Sequence, residues 1–248
     1  MKFTYLSLGA GVQSSALLVM SVLGLRGVPK ADVAIFADTM DEPKWVYENM
    51  RVLRDWARPF DFPIVTVTRG QLSADRRVQI PAFVVGDDGE TAPLSRSCTR
   101  DYKIQPVRKE ARRLMEASGY TEAECLFGIS VDEWQRMTLS PVKWIKNRYP
   151  LVEARLTRSA CGEVLRSLGL PVPRKSACVY CPFHSDRAWR EIRDHDAEGW
   201  ACAVAYDETI RAERGASLHR SMIPLKLIDF GEDHPSLFDT ECSGSCGV

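Results

Sequence analysis

The amino-acid sequence lacks net charge, long apolar runs and any marked compositional bias. Its 248 residues contain 33 Lys and Arg against 33 Asp and Glu, which excludes a polyelectrolyte of the histone type. No stretch reaches the ~20 apolar residues of a membrane-spanning helix, so no membrane partner is expected. Hydrophobic residues make up 45% and charged residues 27%, as in folded soluble chains rather than disordered ones. We therefore expect a cytoplasmic globular protein.

The balanced charge is unevenly distributed along the chain. Residues 96–193 hold 19 Lys and Arg against 11 Asp and Glu, and the remainder holds 14 against 22. A basic middle between acidic ends is typical of a site for an anionic ligand. Nucleotide phosphates suffice to explain it, so a nucleic-acid acceptor has no support in the sequence. We expect at most weak, salt-sensitive binding of RNA or DNA.

Strand and helix patterns alternate in the first third of the chain. Residues 5–8, residues 33–37 and Ile64–Thr68 are short apolar or β-branched runs. A helical pattern at about 14–25 separates the first two, and a second one, with Asp41 as its N-cap, precedes the third. This order predicts a parallel sheet flanked by helices.

The rest of the sequence extends this α/β prediction. We expect a hairpin or ordered lid at 82–89, a helix at 104–118, strands at 126–130 and 149–152, and helices at 159–168, 186–195 and 201–214. No internal repeat or long linker interrupts the chain. The prediction is a single domain over 1–248, with an α/β core at about 1–155 and a helical, cysteine-containing extension at about 156–248.

A glycine-containing loop follows the first predicted strand. Residues 7–15, S-L-G-A-G-V-Q-S-S, could surround an anion with backbone N–H groups and serine hydroxyls at a helix start. The loop lacks the Gly-Lys-Ser/Thr of a Walker A motif and the third glycine of a Rossmann fingerprint. Asp38 and Thr39 follow the second strand at the same carboxyl edge, where open α/β folds bind ligands. A turn that merely requires small residues is the alternative interpretation.

The eight cysteines fall into two groups. Three lie in apolar or helical patterns and are predicted to be core thiols: Cys125, Cys161 and Cys202. The other five lie in turn-like contexts: Cys98, Cys178, Cys181, Cys242 and Cys246.

Cys178 and Cys181 form a C-x-x-C-P unit, a spacing that lets two thiolates reach one metal centre, and Cys98 is the third candidate ligand. The second C-x-x-C pair of a zinc ribbon is missing, and a redox pair is the alternative. The four histidines show no metal-binding spacing.

Five segments resemble, in order, the phosphoadenosine phosphosulfate (PAPS) reductase or CysH-like family of the adenine nucleotide α-hydrolase (PP-loop) superfamily. They are S-L-G-A-G-V-Q-S-S, F-A-D-T-M-D-E-P, R-S-C-T-R-D-Y-K-I-Q-P, G-I-S-V-D-E-W-Q-R and S-A-C-V-Y-C-P-F. The resemblance implies a Rossmann-like α/β fold with a parallel sheet. It also implies an adenine nucleotide ligand, either ATP with Mg²⁺ or PAPS or adenylyl sulfate (APS).

The resemblance also implies roles for individual residues. Lys103 and Arg136 would face the anionic end of the nucleotide as catalytic cations. The three candidate metal ligands would hold a [4Fe–4S] cluster, although Ser97 stands where the family has a further cysteine. Glu241-Cys242 is similar to the family's C-terminal nucleophile motif, but the following residues depart from it. The implied nucleotide-binding residues are Ser7, Gly9, Gly11, Gln13, Ser14, Ser15, Asp38, Thr39 and Glu133.

Three functional hypotheses stay open. The first is cleavage of ATP between its α- and β-phosphates to activate an acceptor for sulfur transfer, with a sulfur donor as partner. Against it, Ser14 stands where related ATP pyrophosphatases have Asp. The second is thiol-dependent reduction of APS or PAPS to sulfite by Cys242, with a thioredoxin-like reductant. The third is a nucleotide-binding accessory protein without turnover, from a mobile-element or CRISPR-associated system. The sequence is compatible with an oligomer in each case.

Overall fold

The computed structural model describes residues 2–75 and 80–231. Seven strands lie in this part of the chain: β1 (Phe3–Leu8), β2 (Val33–Asp38), β3 (Ile64–Thr68), β4 (Phe83–Val85), β5 (Thr91–Pro93), β6 (Ala123–Phe127) and β7 (Ile145–Arg148). Five of them form a parallel sheet in the order β3-β2-β1-β6-β7. Strands β4 and β5 form a separate antiparallel hairpin. The predicted α/β fold class is therefore confirmed.

Helices connect the strands and extend the chain beyond the sheet. They are α1 (Val12–Leu23), α2 (Lys44–Ala57), α3 (Gln105–Ala117), α4 (Pro150–Glu153), α5 (Arg158–Ser167), α6 (Asp186–His195) and α7 (Ala197–Arg214). A π-helical segment, Thr99–Ile104, leads directly into α3. None of the helices in the described ranges is both long and apolar enough to cross a membrane.

Both faces of the sheet are covered, as its nearly continuous apolar strands require. On one face, Leu6, Leu8 and Phe36 pack among side chains of α1, α2 and α5. On the other face, Tyr5 and Ile35 pack among side chains of α3. A further apolar cluster joins α6 and α7 to the segment around the C-x-x-C unit. The C-terminal helices thus hold the C-x-x-C segment, while the sheet holds the glycine-containing loop after β1.

Several sequence predictions need correction. Residues 149–152 are not a strand, because Pro150 begins the short helix α4; the fifth strand is the preceding, more polar β7. Asp41 does not cap α2, whose N-cap is Pro43 with no side-chain bond. The Asp41 carboxylate instead accepts the Ser73 N–H at 2.7 Å. Cys202 is exposed rather than part of the core, whereas Cys125 and Cys161 are buried as predicted.

Candidate functional site

The candidate site lies where the chain order of the strands reverses. β1 pairs with β2 on one side and with β6 on the other, which makes the gap between β1 and β6 the switch point that binds ligands in open α/β folds. A methyl group on Gly128, just after β6, would lie 2.7 Å from the Ser14 nitrogen. Glycine therefore lets the two loops touch. The sequence analysis gave Gly128 no role, although it lies within one of the matched segments.

The loop after β1 contains glycines that the fold itself does not require. A methyl group on Gly9 would have its nearest contact at 3.8 Å from the Ser14 hydroxyl, and one on Gly11 at 3.6 Å from Ser176 Cβ. Both distances are ordinary van der Waals contacts. The left-handed φ of the loop falls on Ala10, at 57°. A methyl group would therefore fit at both positions, so no steric contact within the fold requires glycine there.

The start of α1, which follows this loop, has no side-chain cap. Gly11 is the N-cap, makes no side-chain cap bond, and no acidic residue lies in the first turn. The Ser14 hydroxyl donates to the Gly11 carbonyl at 3.3 Å. Ser15 is fully buried, and its hydroxyl accepts a 3.0 Å bond from Asn49. Because the first N–H groups of a helix lack intrahelical acceptors and carry partial positive charge, this end favours an anion.

A pocket of about 100 Å³ opens between the sheet and α3. We call it the sheet pocket. Its lining is mostly apolar, with Phe36 and Phe127 among the residues, and Gly9, Lys103 and Ser176 also line it. Of the predicted nucleotide-binding residues, Ser7 and Gly9 line it.

A second pocket of about 40 Å³ is lined by the three candidate metal ligands. We call it the thiol pocket. Cys98, Cys178 and Cys181 line it together with Thr39, and Lys103 and Ser176 belong to the walls of both pockets. The Ser176 hydroxyl also donates to the Gly9 carbonyl. The two pockets are therefore adjacent, with a lysine and a serine between them.

Lys103 forms an ion pair with a buried carboxylate that the sequence analysis did not single out. Its Nζ lies 3.0 Å from Glu42 Oε1, and the Glu42 side chain is 1% exposed. The Thr39 hydroxyl donates to the same oxygen at 3.1 Å. Glu42 Oε2 is buried without a hydrogen-bond partner among residues 2–75 and 80–231. Lys103 thus compensates a buried negative charge as well as lining both pockets.

The thiol pocket favours a neutral Cys178 thiol. Burial raises the pKa of Cys178 well above its ordinary value; the neighbouring Cys181 and Glu42 raise it further, and Lys103 opposes them. His184 Nε2 lies 2.9 Å from the Cys178 carbonyl oxygen. Burial lowers the pKa of His184 to about 3, so the ring is neutral at physiological pH. A neutral Nε2–H that donates to this carbonyl would fix the C-x-x-C turn.

The predicted cluster ligands share a pocket but do not form a ready metal site. In the part of the chain that the structure describes, no three His, Cys, Asp or Glu side chains are arranged to hold a metal ion. Within residues 2–75 and 80–231 the three thiols are therefore not assembled around a single metal ion. The iron–sulfur assignment stays a prediction.

Other predicted site residues lie outside both pockets. The Asp38 carboxylate accepts the Met40 N–H at 2.8 Å and the Tyr47 hydroxyl at 3.1 Å. Arg136 pairs with Glu133 at 2.9 Å. Cys242, predicted as a nucleophile, lies outside the described residues. Its role stays a prediction.

Two contacts join the C-terminal part of the chain to α2. The Asp196 carboxylate accepts the Lys44 N–H at the start of α2, at 2.9 Å, and the Gly199 N–H in the first turn of α7, at 3.1 Å. The Trp45 indole donates to the Lys175 carbonyl at 3.0 Å. These bonds hold the segment before the thiol pocket against α2.

The sequence matches no protein-family model and no curated protein. Among solved structures, the chain is similar to the U34-tRNA thiolase NcsA from Methanococcus maripaludis, solved with its [4Fe-4S] cluster. The two chains are 12% identical with a TM-score of 0.43, and the similarity covers 85% of this chain and 72% of that chain. A likeness this distant carries no argument about activity.

Proposed function

We propose that the chain is an enzyme that binds ATP at the sheet pocket and uses it at the α-phosphate for sulfur transfer. The observation that carries this proposal is the uncapped start of α1 beside Gly9 and Gly11, two positions at which no steric contact within the fold requires glycine. Glycine at both positions lets phosphate oxygens approach the backbone N–H groups closely. The adjacent sheet pocket, whose lining is mostly apolar, would receive the nucleoside.

The proposed chemistry has two steps. An acceptor oxygen attacks the α-phosphorus and forms a new P–O bond, while the bond to the oxygen that bridges to the β-phosphate breaks and pyrophosphate leaves with the electron pair. A sulfur nucleophile then attacks the activated carbon, and AMP leaves with the acceptor oxygen. The α1 N-terminus and Lys103 would offset the phosphate charge. The shared wall of Lys103 and Ser176 supports sulfur delivery from the thiol pocket.

The loop can be tested with a pair of matched glycine substitutions. Gly11→Ala adds a methyl whose nearest contact is 3.6 Å away, and Gly162→Ala in α5 adds one at the same distance from Val172. We expect both variants to fold. Only Gly11→Ala should lower the affinity for MgATP in calorimetry, by at least about tenfold, because a lost phosphate bond costs more than ~1.4 kcal/mol. Equal affinities would contradict the phosphate assignment.

Turnover separates the three hypotheses. Incubation with MgATP and candidate acceptors should release AMP and pyrophosphate, and Lys103→Gln should slow this release more than Lys109→Gln, an exposed control on α3. Release of sulfite from PAPS, abolished by Cys242→Ser, would instead identify the reductase. Nucleotide binding without either product would identify the accessory protein. Iron analysis of anaerobically purified protein tests the cluster separately.

A further inference from the structure

A serine, a histidine and an aspartate are linked by hydrogen bonds between α6 and the segment that follows α7. The Ser221 hydroxyl lies 2.8 Å from His219 Nδ1, and His219 Nε2 lies 3.1 Å from Asp186 Oδ1. We call these three residues the serine triad. Asp186 lies 33 positions before His219, so no local sequence pattern shows the arrangement. None of the three residues lines the sheet pocket or the thiol pocket.

The hydrogen bonds fix which nitrogen of the His219 ring carries the proton. The Ser221 backbone N–H, which can only donate, lies 3.2 Å from Nδ1. In the neutral ring Nδ1 is therefore the acceptor, and Nε2–H donates to the Asp186 carboxylate. The Ser221 hydroxyl accepts the Ile223 N–H at 3.3 Å, which leaves its own proton to be donated to Nδ1. In this arrangement a histidine can act as a general base toward a hydroxyl.

The histidine of the serine triad is buried, whereas the serine is open to solvent. The His219 side chain is 7% exposed, and its ring packs edge-on against Phe230 with 6.0 Å between the ring centroids. Ser221 is exposed, and the next residue, Met222, has a left-handed φ of 61°. Non-glycine residues rarely adopt this conformation, and those that do cluster at functional sites. The triad thus has a rigidly held base beside an accessible hydroxyl.

We propose that the serine triad is an acyl-transfer site for activated esters, with Ser221 as the nucleophile, His219 as its general base and Asp186 as the residue that orients the base. Both side-chain distances are within the range of about 2.6–3.2 Å that such a relay requires. Arg220 is exposed and forms no salt bridge with any residue in 2–75 or 80–231, so its guanidinium is free to offset the charge of an oxyanion. A phosphoryl group spreads its charge over three oxygens and is matched by several cations, which favours the acyl group here.

The proposed reaction is an ester hydrolysis in two steps. Ser221 Oγ attacks the carbonyl carbon and forms a C–O bond, its proton passes to His219 Nδ1, and the leaving group departs with the electron pair of its own C–O bond and takes up that proton. Water then attacks the acyl carbon while His219 accepts a proton from it; the bond to Ser221 Oγ breaks, and the proton returns to that oxygen. The products are a carboxylic acid and an alcohol or phenol. No step uses ATP or the thiol pocket, so the inference is independent of the proposed function.

Covalent labelling of the full chain tests the nucleophile. A fluorophosphonate ester should react at Ser221, because the Oγ–P bond forms as the P–F bond breaks and fluoride leaves; mass spectrometry of tryptic peptides locates the adduct. Labelling should be at least about 100-fold slower in His219→Asn, since a positioned base contributes ~10²–10⁴-fold. It should be unchanged in His195→Asn, which alters an exposed histidine at the end of α6. No adduct at Ser221, or equal labelling rates in wild type and His219→Asn, would overturn the proposal.

Two further measurements do not require the buried histidine to be replaced. Ser221→Ala should lower the steady-state release of p-nitrophenolate from p-nitrophenyl acetate at least about tenfold, because the base then has no hydroxyl to activate; Ser159→Ala, at an exposed position in α5, should not. Nitrogen-15 NMR of the neutral His219 ring should show its proton on Nε2, and the other tautomer should become detectable in Asp186→Ala, which removes the acceptor of that proton. Unchanged turnover in Ser221→Ala, or a proton on Nδ1 in the wild type, would refute the site.

Discussion

Removal of Lys103 should destabilise the fold, because its partner carboxylate has no access to water. The Glu42 side chain is 1% exposed and Lys103 is 28% exposed. Breaking a buried pair by removing one partner costs about 3–5 kcal/mol; the partial exposure of Lys103 places the expected loss for Lys103→Met near 3 kcal/mol. For a chain of this size that corresponds to a decrease in melting temperature of about 6–12 °C.

A second substitution, Glu42→Gln, added to Lys103→Met shows whether the unpaired Glu42 carboxylate causes the loss of stability. In the double variant position 42 carries no charge, so the free energy of unfolding should rise again by at least about 2 kcal/mol relative to Lys103→Met alone. The assay is urea unfolding followed by circular dichroism, with linear extrapolation to zero urea. The double variant then supplies a folded protein for testing the effect of Lys103 on ATP binding.

A solvent-exposed ion pair provides the control for these substitutions of Lys103 and Glu42. Lys226 Nζ lies 2.6 Å from Glu208 Oε1, with both side chains at least half exposed. Lys226→Met should cost less than about 1 kcal/mol, because water compensates the remaining charge. If Lys103→Met costs no more than Lys226→Met, the assignment of Glu42 as a buried charge that needs Lys103 is refuted.

Three further predictions concern Gly128 after β6, the Asp196 carboxylate at the start of α7, and the thiols of Cys161 and Cys202. Gly128→Ala should lower ATP affinity and melting temperature together, because the methyl would lie 2.7 Å from the Ser14 nitrogen; a variant with unchanged affinity would refute the contact between the loops. Asp196→Ala should cost about 2 kcal/mol in urea unfolding, through loss of two backbone N–H partners, and Asp196→Asn clearly less; equal losses would contradict the capping role. Burial raises the pKa of Cys161 to about 12, so native-state alkylation at pH 8, read by mass spectrometry, should label the exposed Cys202 before Cys161. Because the folded thiol stays protonated, the stability that Cys161 contributes is present below about pH 9 and is lost as the pH rises toward 12; early labelling of Cys161 in folded protein would refute its burial.

Strongly patterned elements could be predicted from the sequence. Ile64–Thr68 is a strand with the predicted bounds, since all five of its residues are β-branched Ile, Val or Thr. Asp186–His195 is a helix with the predicted bounds, because Ser185 caps it by accepting the Ala188 N–H. Both cases rest on local signals that no tertiary contact overrides.

The missed features depend on neighbours that are distant in the sequence. β7 reads Ile-Lys-Asn-Arg, and only pairing with β6 makes so polar a run a strand. Asp41 was a reasonable cap, yet Ser73 binds its carboxylate. Glu42 lies within a matched segment, but no local pattern announces that Lys103 will pair with it. The site residues themselves remain predictions that the proposed variants test.

The bond between Asp196 and the Lys44 N–H has a consequence for the order of folding. It joins residues 152 positions apart, so it forms only after a long loop has closed, at an entropic cost that local strands and helices do not bear. The sheet and the loop after β1 can be completed by the first two-thirds of the chain. The thiol pocket needs Cys98 from one side and Cys178 from the other, and it therefore assembles late. A nascent chain would acquire its phosphate loop before its thiols are gathered beside it.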